Sequence, residues 1–222
     1  MVFYEPPEPL YRDRQHAGSI LAERLEDFKI DDMAILAIPN GGVPVAIPIA
    51  IKLEAPLFLM IVRKLQFPDN PEAGFGALTS DGFLLLNERL VEYSGLTKAD
   101  IEMQKKKAMA SINKRLQFFG KWSQVDSLKD RSVVLVDDGL ASGFTMLAAV
   151  RSARSQEARR IIVAVPTSSM SAFRRLEKEV DRVVCPHVSR LPVFAVADAY
   201  ENWYDVDENE VRQMLEELER DR

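Results

Sequence analysis

With 222 residues, 47% of them hydrophobic, the chain is long enough to bury a core as one compact domain or a domain with a small appendage. Its formal charge of −5 argues against a nucleic-acid binder that needs a basic face, and no apolar run approaches the ~18 residues of a membrane span. The amino-terminal MVFYEPPEP lacks a charged-then-apolar signal layout and Cys185 is the single cysteine, so a disulfide framework is excluded and a reducing, cytoplasmic setting is expected.

Residues 1–10 hold three prolines and are expected to form an extended lead-in. A helix is predicted over 13–28, where Ala17, Ile20, Leu21, Leu25 and Phe28 share a face and Asp13 suits the N-cap. Arg12 and Arg14 flank that cap, either solvated or reaching an anion. Residues 34–38 read as a buried strand, followed by Pro39-Asn40-Gly41-Gly42-Val43-Pro44. Paired glycines between a strand and a helix allow close backbone approach to a ligand. Pro48 would lose a hydrogen bond deep inside a helix, so the next helix is expected to start near 44–45. Residues 57–62 read as the second buried strand, with Arg63 and Lys64 at its carboxyl end, where open α/β sheets bind ligands. Residues 65–76 read as a loop carrying Pro and Gly, and 77–80 with 83–86 as a hairpin closed by a type I′ turn at Asp81-Gly82.

Residues 88–120 are charged and helical in pattern. Thr97 with Asp100 resembles a capping box, and Ile101, Lys105, Ala108, Ile112, Leu116 and Phe119 recur at helical spacing. The lysines at 105, 106 and 107 read as a solvated face rather than an RNA contact. Residues 122–131 link to the most informative stretch. There the buried run 133–136 is followed by Asp137 and Asp138, then by Gly139-Leu140-Ala141-Ser142-Gly143-Phe144-Thr145 and a helix from about Thr145. Small residues let several N–H groups converge, and a helix N-terminus behind them adds roughly half a positive charge. That suits a phosphate, with the hydroxyls of Ser142 and Thr145 as further donors. Two adjacent carboxylates would repel a phosphate unless they hold sugar hydroxyls or a hydrated Mg²⁺. A phosphate with a diol a few ångströms away describes a ribose 5-phosphate; the plainer alternative is a strand–turn–helix with an acidic cap.

Beyond it, 161–165 reads as a strand, Ser168 or Ser169 as the cap of a helix to about 180, and 182–185 as a strand in which Cys185 packs. Residues 194–197 read as a short strand before the acids and aromatics of 198–204. Asp207 with Glu210 reads as a capping box for a last helix with Val211, Met214, Leu215 and Leu218 inward. His16 and His187 stand apart with no Cys/His cluster, so a zinc site is not expected. Alternating strands and helices predict a mostly parallel α/β sheet covered on both sides.

The stretch 133–145 resembles the 5-phosphoribosyl 1-pyrophosphate (PRPP) signature of the type I phosphoribosyltransferases: an apolar run, two acids, then apolar, Ala/Thr, Thr/Ser, Gly, any, Thr. The Tyr11-Arg12-Asp13-Arg14 opening, Pro39-x-Gly41-Gly42, Arg63-Lys64 with the stretch after it, and Phe194-x-Val196 extend the likeness to a subgroup of that family. The resemblance implies a three-layer α/β/α fold in one domain over 1–222, with a mobile flap at 65–86, a helical insertion at 88–120 and a small hood at 185–206. It implies that Ala141, Ser142, Gly143, Phe144 and Thr145 hold the 5-phosphate. Asp137 and Asp138 would act on the ribose hydroxyls and, through water, on Mg²⁺. Asn40, Gly41, Gly42, Arg63 and Lys64 would take the pyrophosphate that a nucleobase-like acceptor displaces. A cytoplasmic homodimer that uses no nucleic acid or membrane partner completes the expectation. Phe144 stands where a small residue is common in the signature; Ala197 stands where Gly is expected, a departure that bears on base recognition and not on PRPP binding. The alternative is a regulatory protein that keeps the pocket to sense PRPP or a nucleotide. A P-loop NTPase and a dinucleotide-binding domain are disfavoured, since neither G-x-x-x-x-G-K-[ST] nor G-x-G-x-x-G occurs.

Overall fold

The computed structural model describes residues 8–29 and 32–221, apart from the side chains at 71 and 72; most of the expected amino-terminal lead-in, 1–7, lies outside them. Five strands form a wholly parallel sheet: β1 (Met33–Ala37), β2 (Leu57–Leu59), β6 (Ser132–Val136), β7 (Arg160–Ala164) and β9 (Arg182–Val184), in the order β2-β1-β6-β7-β9. Every residue of β1 and β6 is buried, as continuous apolar runs require when both faces are covered. Alternate residues feed opposite layers. Ile35 and Val134 pack with Leu21 and Leu25 of α1 (Arg14–Leu25), Ile49 of α2 (Gly42–Lys52) and Leu215 of α7 (Glu208–Arg220). Leu36 and Leu135 pack with Leu147 and Val150 of α5 (Phe144–Ser155) and Leu176 of α6 (Met170–Leu176). The result is the expected three-layer α/β/α arrangement.

Several local expectations are corrected. Helix α2 begins at Gly42, capped by Gly41, so Pro48 falls in its second turn. Gly18 of α1 faces that turn: a Cβ there would sit 2.3 Å from the Val45 carbonyl oxygen and 3.1 Å from the Pro48 ring. The two helices therefore approach closely where the missing N–H of Pro48 interrupts α2.

The stretch 57–62 is not one strand. The chain leaves the parallel sheet after β2 and enters a separate antiparallel sheet, β3 (Val62–Phe67), β4 (Asn70–Thr79) and β5 (Leu84–Leu86). The expected loop 65–76 is thus mostly the two arms of a β-hairpin, with register shifts at Leu65/Gln66 and Gln66/Phe67. Its base is fixed by Leu65, Phe75 and Leu78, buried with Ala108, Ile112 and Phe119 of α4 (Lys98–Phe119). The turn from β4 to β5 is not type I′, because only Gly82, and not Asp81, has a positive φ (88°). The Gly82 N–H bonds to Thr79 O while the Thr79 N–H bonds to Phe83 O, a three-residue loop with glycine in the left-handed position. Asp81 is spent otherwise, accepting from the Ser152 hydroxyl of α5 at 2.9 Å.

Residues 88–120 divide into α3 (Glu88–Ser94) and α4, separated by Gly95 at φ 66°, and the Thr97–Asp100 capping box forms. Gln104, rather than Lys105, is the buried member of its second turn. Ser169 caps α6, which stops at Leu176, short of 180. The turn after it brings the Asp181 carboxylate to the Ile161 N–H at 2.8 Å. Residues 194–197 are not a strand: Val196–Ala199 is a single 3₁₀ turn. The Ala199 carbonyl accepts from both Leu10 and Tyr11, which ties the amino-terminal segment to this region. A pair of three-residue strands, β8 (Thr167–Ser169) and β10 (His187–Ser189), completes it. Asp207 and Glu210 form the capping box of α7. No helix of the described residues is long and apolar enough to cross a membrane.

Candidate active site

Strands β1 and β6 run side by side with Ala37 opposite Val136, so the turn after β1 and the loop after β6 emerge at the same level. The loop after β6 has its carbonyls held from behind. The Ala141 carbonyl accepts from Ser169 Oγ at 2.7 Å, that of Ser142 from the Arg175 guanidinium, and that of Leu140 from the Ser169 N–H at 2.9 Å. In a trans peptide the N–H opposes the preceding carbonyl, so the N–H groups of Ala141, Ser142 and Gly143 turn outward. Among the described residues nothing accepts from these three or from Thr145. Gly143 (φ 75°) caps α5, and a side chain there would press on Ala172 Cβ at 3.0 Å. Phe144, at the first helical position, lies under Arg175, whose guanidinium carbon is 4.6 Å from the ring centroid. The loop is therefore a set of backbone donors at a helix start, the geometry an anion needs.

Directly before it, Asp137 Oδ1 accepts from the Asp138 N–H at 2.9 Å. Burial, and then the charge of Asp138, pushes the Asp137 carboxyl well above the usual range. Burial also raises Asp138, but Arg14 opposes the shift. Arg14 Nε lies 2.9 Å from Asp138 Oδ2, so the arginine for which an anion was one possibility meets an anion of the protein itself. Arg14 is only 5% exposed; its Nη1 donates to Tyr204 O at 2.9 Å and its guanidinium carbon sits 3.9 Å from the Trp203 ring centroid. The Tyr200 hydroxyl donates to the Asp138 carbonyl at 2.6 Å, and burial holds that phenol protonated. The resemblance puts the aromatics of 198–204 within the expected hood, 185–206, without revealing that they enclose Arg14.

The turn after β1 closes on the same acids. A Cβ on Gly41 would lie 2.0 Å from Asp138 Oδ2, and one on Gly42 2.7 Å from the Val136 carbonyl oxygen, so both positions exclude side chains. Asn40 Nδ2 donates to Val206 O at 2.7 Å, whereas Asn40 Oδ1 is buried without a partner. The Pro39–Asn40 peptide is cis. Arg63 and Lys64 are corrected in place: they lie within β3, not beyond a strand end, and successive residues face opposite sides. Arg63 shares the α4 side with Leu65 and Phe67, while exposed Lys64 takes the other. Sequence reading missed Arg115 of α4, which bonds Glu208 Oε1 at 2.9 Å and the Pro39 carbonyl at 3.4 Å.

A small, partly open pocket of about 50 Å³ adjoins this end, lined by Leu10, Thr167, His187, Val193, Phe194 and Asp198 among others. Its polar edge is the Thr167 Oγ1–His187 Nδ1 contact at 2.9 Å, and burial lowers the His187 pKa. Cys185 donates to the His187 carbonyl and burial pushes its thiol up to about 12, in keeping with the packing role expected of it. Among the described residues no group of three or more His, Cys, Asp or Glu could cage a metal. Two adjacent carboxylates, one already paired, fit only a cation that keeps its waters and takes further oxygens from a ligand, as Mg²⁺ does.

The model of the phosphoribosyl transferase domain matches residues 11–198. A Mycobacterium tuberculosis protein provisionally named phosphoribosyl transferase Rv0571c is 36% identical over 212 residues; the match takes in 96% of this chain, which spans about half (48%) of that relative's length. The crystal structure of TT1426 from Thermus thermophilus superimposes with a TM-score of 0.78 at 34% identity, covering 94% of this chain and 98% of that one. AQ2163 from Aquifex aeolicus, at 13% identity and a TM-score of 0.50 over 79% of this chain and 74% of its own, shares the fold. With a family match across most of its length and the loop, acids and glycine turn at one sheet end, the chain belongs to the phosphoribosyl transferase domain family.

Proposed function

We propose that the chain binds PRPP with Mg²⁺ and transfers its phosphoribosyl group to a nucleobase-like acceptor, releasing pyrophosphate. The observation that carries this reading is the loop 141–145, whose carbonyls are tied back and whose N–H groups face outward immediately after two carboxylates. Ala141, Ser142, Gly143, Phe144 and Thr145 would hold the 5-phosphate on backbone N–H groups and the hydroxyls of Ser142 and Thr145. Asp137 and Asp138 would accept from the ribose hydroxyls and, through water, help hold Mg²⁺, which when bound neutralises the leaving pyrophosphate. The turn Asn40–Gly41–Gly42 would lie along that pyrophosphate, with Arg63 on its α4 side and Lys64 at the base of the 66–74 hairpin tip, the part of the expected flap that would close over it. Breaking the C1–O bond before the acceptor nitrogen attacks builds positive charge on the ring. The adjacent carboxylates favour that charge, so catalysis is chiefly positioning and electrostatics.

The pocket beside Phe194 and His187 would receive the acceptor at its open side, with residues 185–206 as hood. One domain, a homodimeric assembly and a cytoplasmic setting complete the proposal and rest on the family resemblance. The test is release of pyrophosphate from PRPP and Mg²⁺ across a panel of purine and pyrimidine bases. Turnover with at least one base is expected, and none with any base, alongside intact PRPP binding, would reject catalysis. A second reading, a PRPP- or nucleotide-sensing protein, is favoured by one observation: Asp138 already carries an internal counter-ion in Arg14. Binding without turnover would select it.

A further inference from the structure

Arg115 is the least explained cation near the candidate site. It projects from α4, within the 88–120 segment, toward the turn after β1. Its Nη1 donates to the Pro39 carbonyl at 3.4 Å, and its Nε pairs with Glu208 Oε1 at 2.9 Å. The arginine side chain is 13% exposed, whereas its carboxylate partner is 39% exposed. Arg63 lies on the same side of β3, against α4, and no described carboxylate pairs with it. Burial, and then the charge of Arg63, lowers the Arg115 pKa, which places the two cations within mutual influence. In the turn that Arg115 contacts, the N–H groups of Asn40 and Gly41 have no acceptor among the described residues.

Two guanidinium groups held near each other at reduced exposure repel unless an anion sits between them. One half-exposed carboxylate cannot balance both. A guanidinium fork matches phosphate oxygens bidentately, and the two forks with two backbone donors offer more than a single phosphate can use.

We propose that Arg115 is a further ligand of the pyrophosphate group, acting with Arg63 and the Asn40–Gly41 turn, so that the 88–120 segment contributes directly to the binding site. The inference rests on the functional reading above. In the free protein Glu208 holds the place that a pyrophosphate oxygen takes on binding. Arg115 is thereby kept extended toward the turn and exchanges one carboxylate for another oxyanion.

The probe is magnesium pyrophosphate, titrated calorimetrically into the full chain and into Arg115→Met, Arg115→Lys and Glu208→Gln. Arg115→Met should weaken binding at least about tenfold, as expected for loss of a charge-assisted pair. Arg115→Lys should recover part of that loss, and Glu208→Gln should bind as well as the parent chain or more tightly. Ribose 5-phosphate, which occupies the 141–145 loop, should bind all four proteins alike. Unchanged pyrophosphate affinity in Arg115→Met, or equal losses in Arg115→Met and Glu208→Gln, would overturn the proposal and make the arginine a structural clip between α4 and α7. A parent chain that binds ribose 5-phosphate but not pyrophosphate overturns it as well and leaves the 5-phosphate site standing. Failure to bind either would reject the functional reading itself.

Discussion

Arg14 and Asp138 stand 124 residues apart in the chain, yet the guanidinium Nε lies 2.9 Å from the carboxylate, under the ring of Trp203. The pair joins the first turn of α1, the acids after β6 and the aromatic segment at Trp203 and Tyr204. Removing the cation leaves a carboxylate that is only 16% exposed without its partner. Arg14→Met should therefore destabilise the fold by about 3 kcal/mol, toward the lower end for breaking a buried pair because some solvent reaches the acid. Arg14→Lys keeps charge but not the flat face over Trp203 and should recover less than half of it. Denaturant unfolding of the three proteins at pH 7 measures this, and a loss below about 1 kcal/mol in Arg14→Met would show the pair to be solvated in practice.

Asp137 gives a prediction with a pH sign. Its folded pKa is raised well above the ordinary 3.8, so between those two values the folded chain binds more protons than the unfolded one. Stability from this group therefore falls as pH rises from about 4 toward the folded pKa, where the acid ionises. Asp137→Asn removes the penalty while its side-chain oxygen can still accept from the Asp138 N–H. The variant should melt higher than the parent chain at pH 7, with the gap shrinking at pH 4. The same change should cut PRPP turnover at least about a hundredfold if the carboxylate acts on the ribose. A melting gap that is constant with pH would contradict the assignment of a buried, proton-holding acid.

Gly41 tests how tightly the two loops meet. A methyl group there would sit 2.0 Å from Asp138 Oδ2 and 3.3 Å from Arg14 Nε. Gly41→Ala must displace the acid, the arginine or the turn, at a stability loss of about 1–3 kcal/mol. Because the displaced groups are the ones proposed to hold ribose and pyrophosphate, PRPP affinity should fall more than tenfold. Gly82→Ala provides the contrast. Its site is open, with nothing within 4 Å, so only its positive φ is strained and PRPP affinity should be unchanged. Equal effects on PRPP affinity would separate neither position from general destabilisation.

The local parts of this arrangement were legible in the sequence and the long-range parts were not. The continuous apolar run before Asp137, the small-residue loop and the capping boxes at Thr97 and Asp207 are read within a few residues, because local hydrogen bonding determines them. The β3–β4 hairpin was hidden by its own glycines. A Cβ on Gly76 would approach the Leu85 carbonyl at 2.5 Å, so a residue that reads as a loop former is required by strand packing. Strands β8 and β10, three residues each, are too short and polar to show a period. Arg63 and Lys64 look like one cationic pair in sequence, and the pleat separates them. Nothing local marks Arg115, and Arg14 stands out only beside its N-cap; the contacts of both come from partners more than seventy residues distant.

The hairpin alters what the flap can do. Were 65–86 a loop, all of it could open at small cost. Here Leu65, Phe75 and Leu78 are fully buried against α4, and Thr79 and Asp81 are tied to the β5 turn and to Ser152. Opening those positions would expose a large part of one core layer, so their exchange should require nearly global unfolding. The distal arms differ. Gln66 is exposed, the register shifts twice between Leu65 and Phe67, and a bulged ladder has fewer regular bonds to break. Amides at 66–70 and 73–74 should therefore exchange fast in the free protein, while those at 75–79 stay protected. PRPP with Mg²⁺ would add contacts available only to a closed tip, where Lys64 marks the base of the moving part, and the closed population should rise. Hydrogen exchange with and without PRPP and Mg²⁺ reads both regions in one experiment. Slowing confined to 66–74 is the expected outcome. Protection that is already high across 66–74 without ligand would make the hairpin a fixed wall, and the site would then have to exclude water by other means.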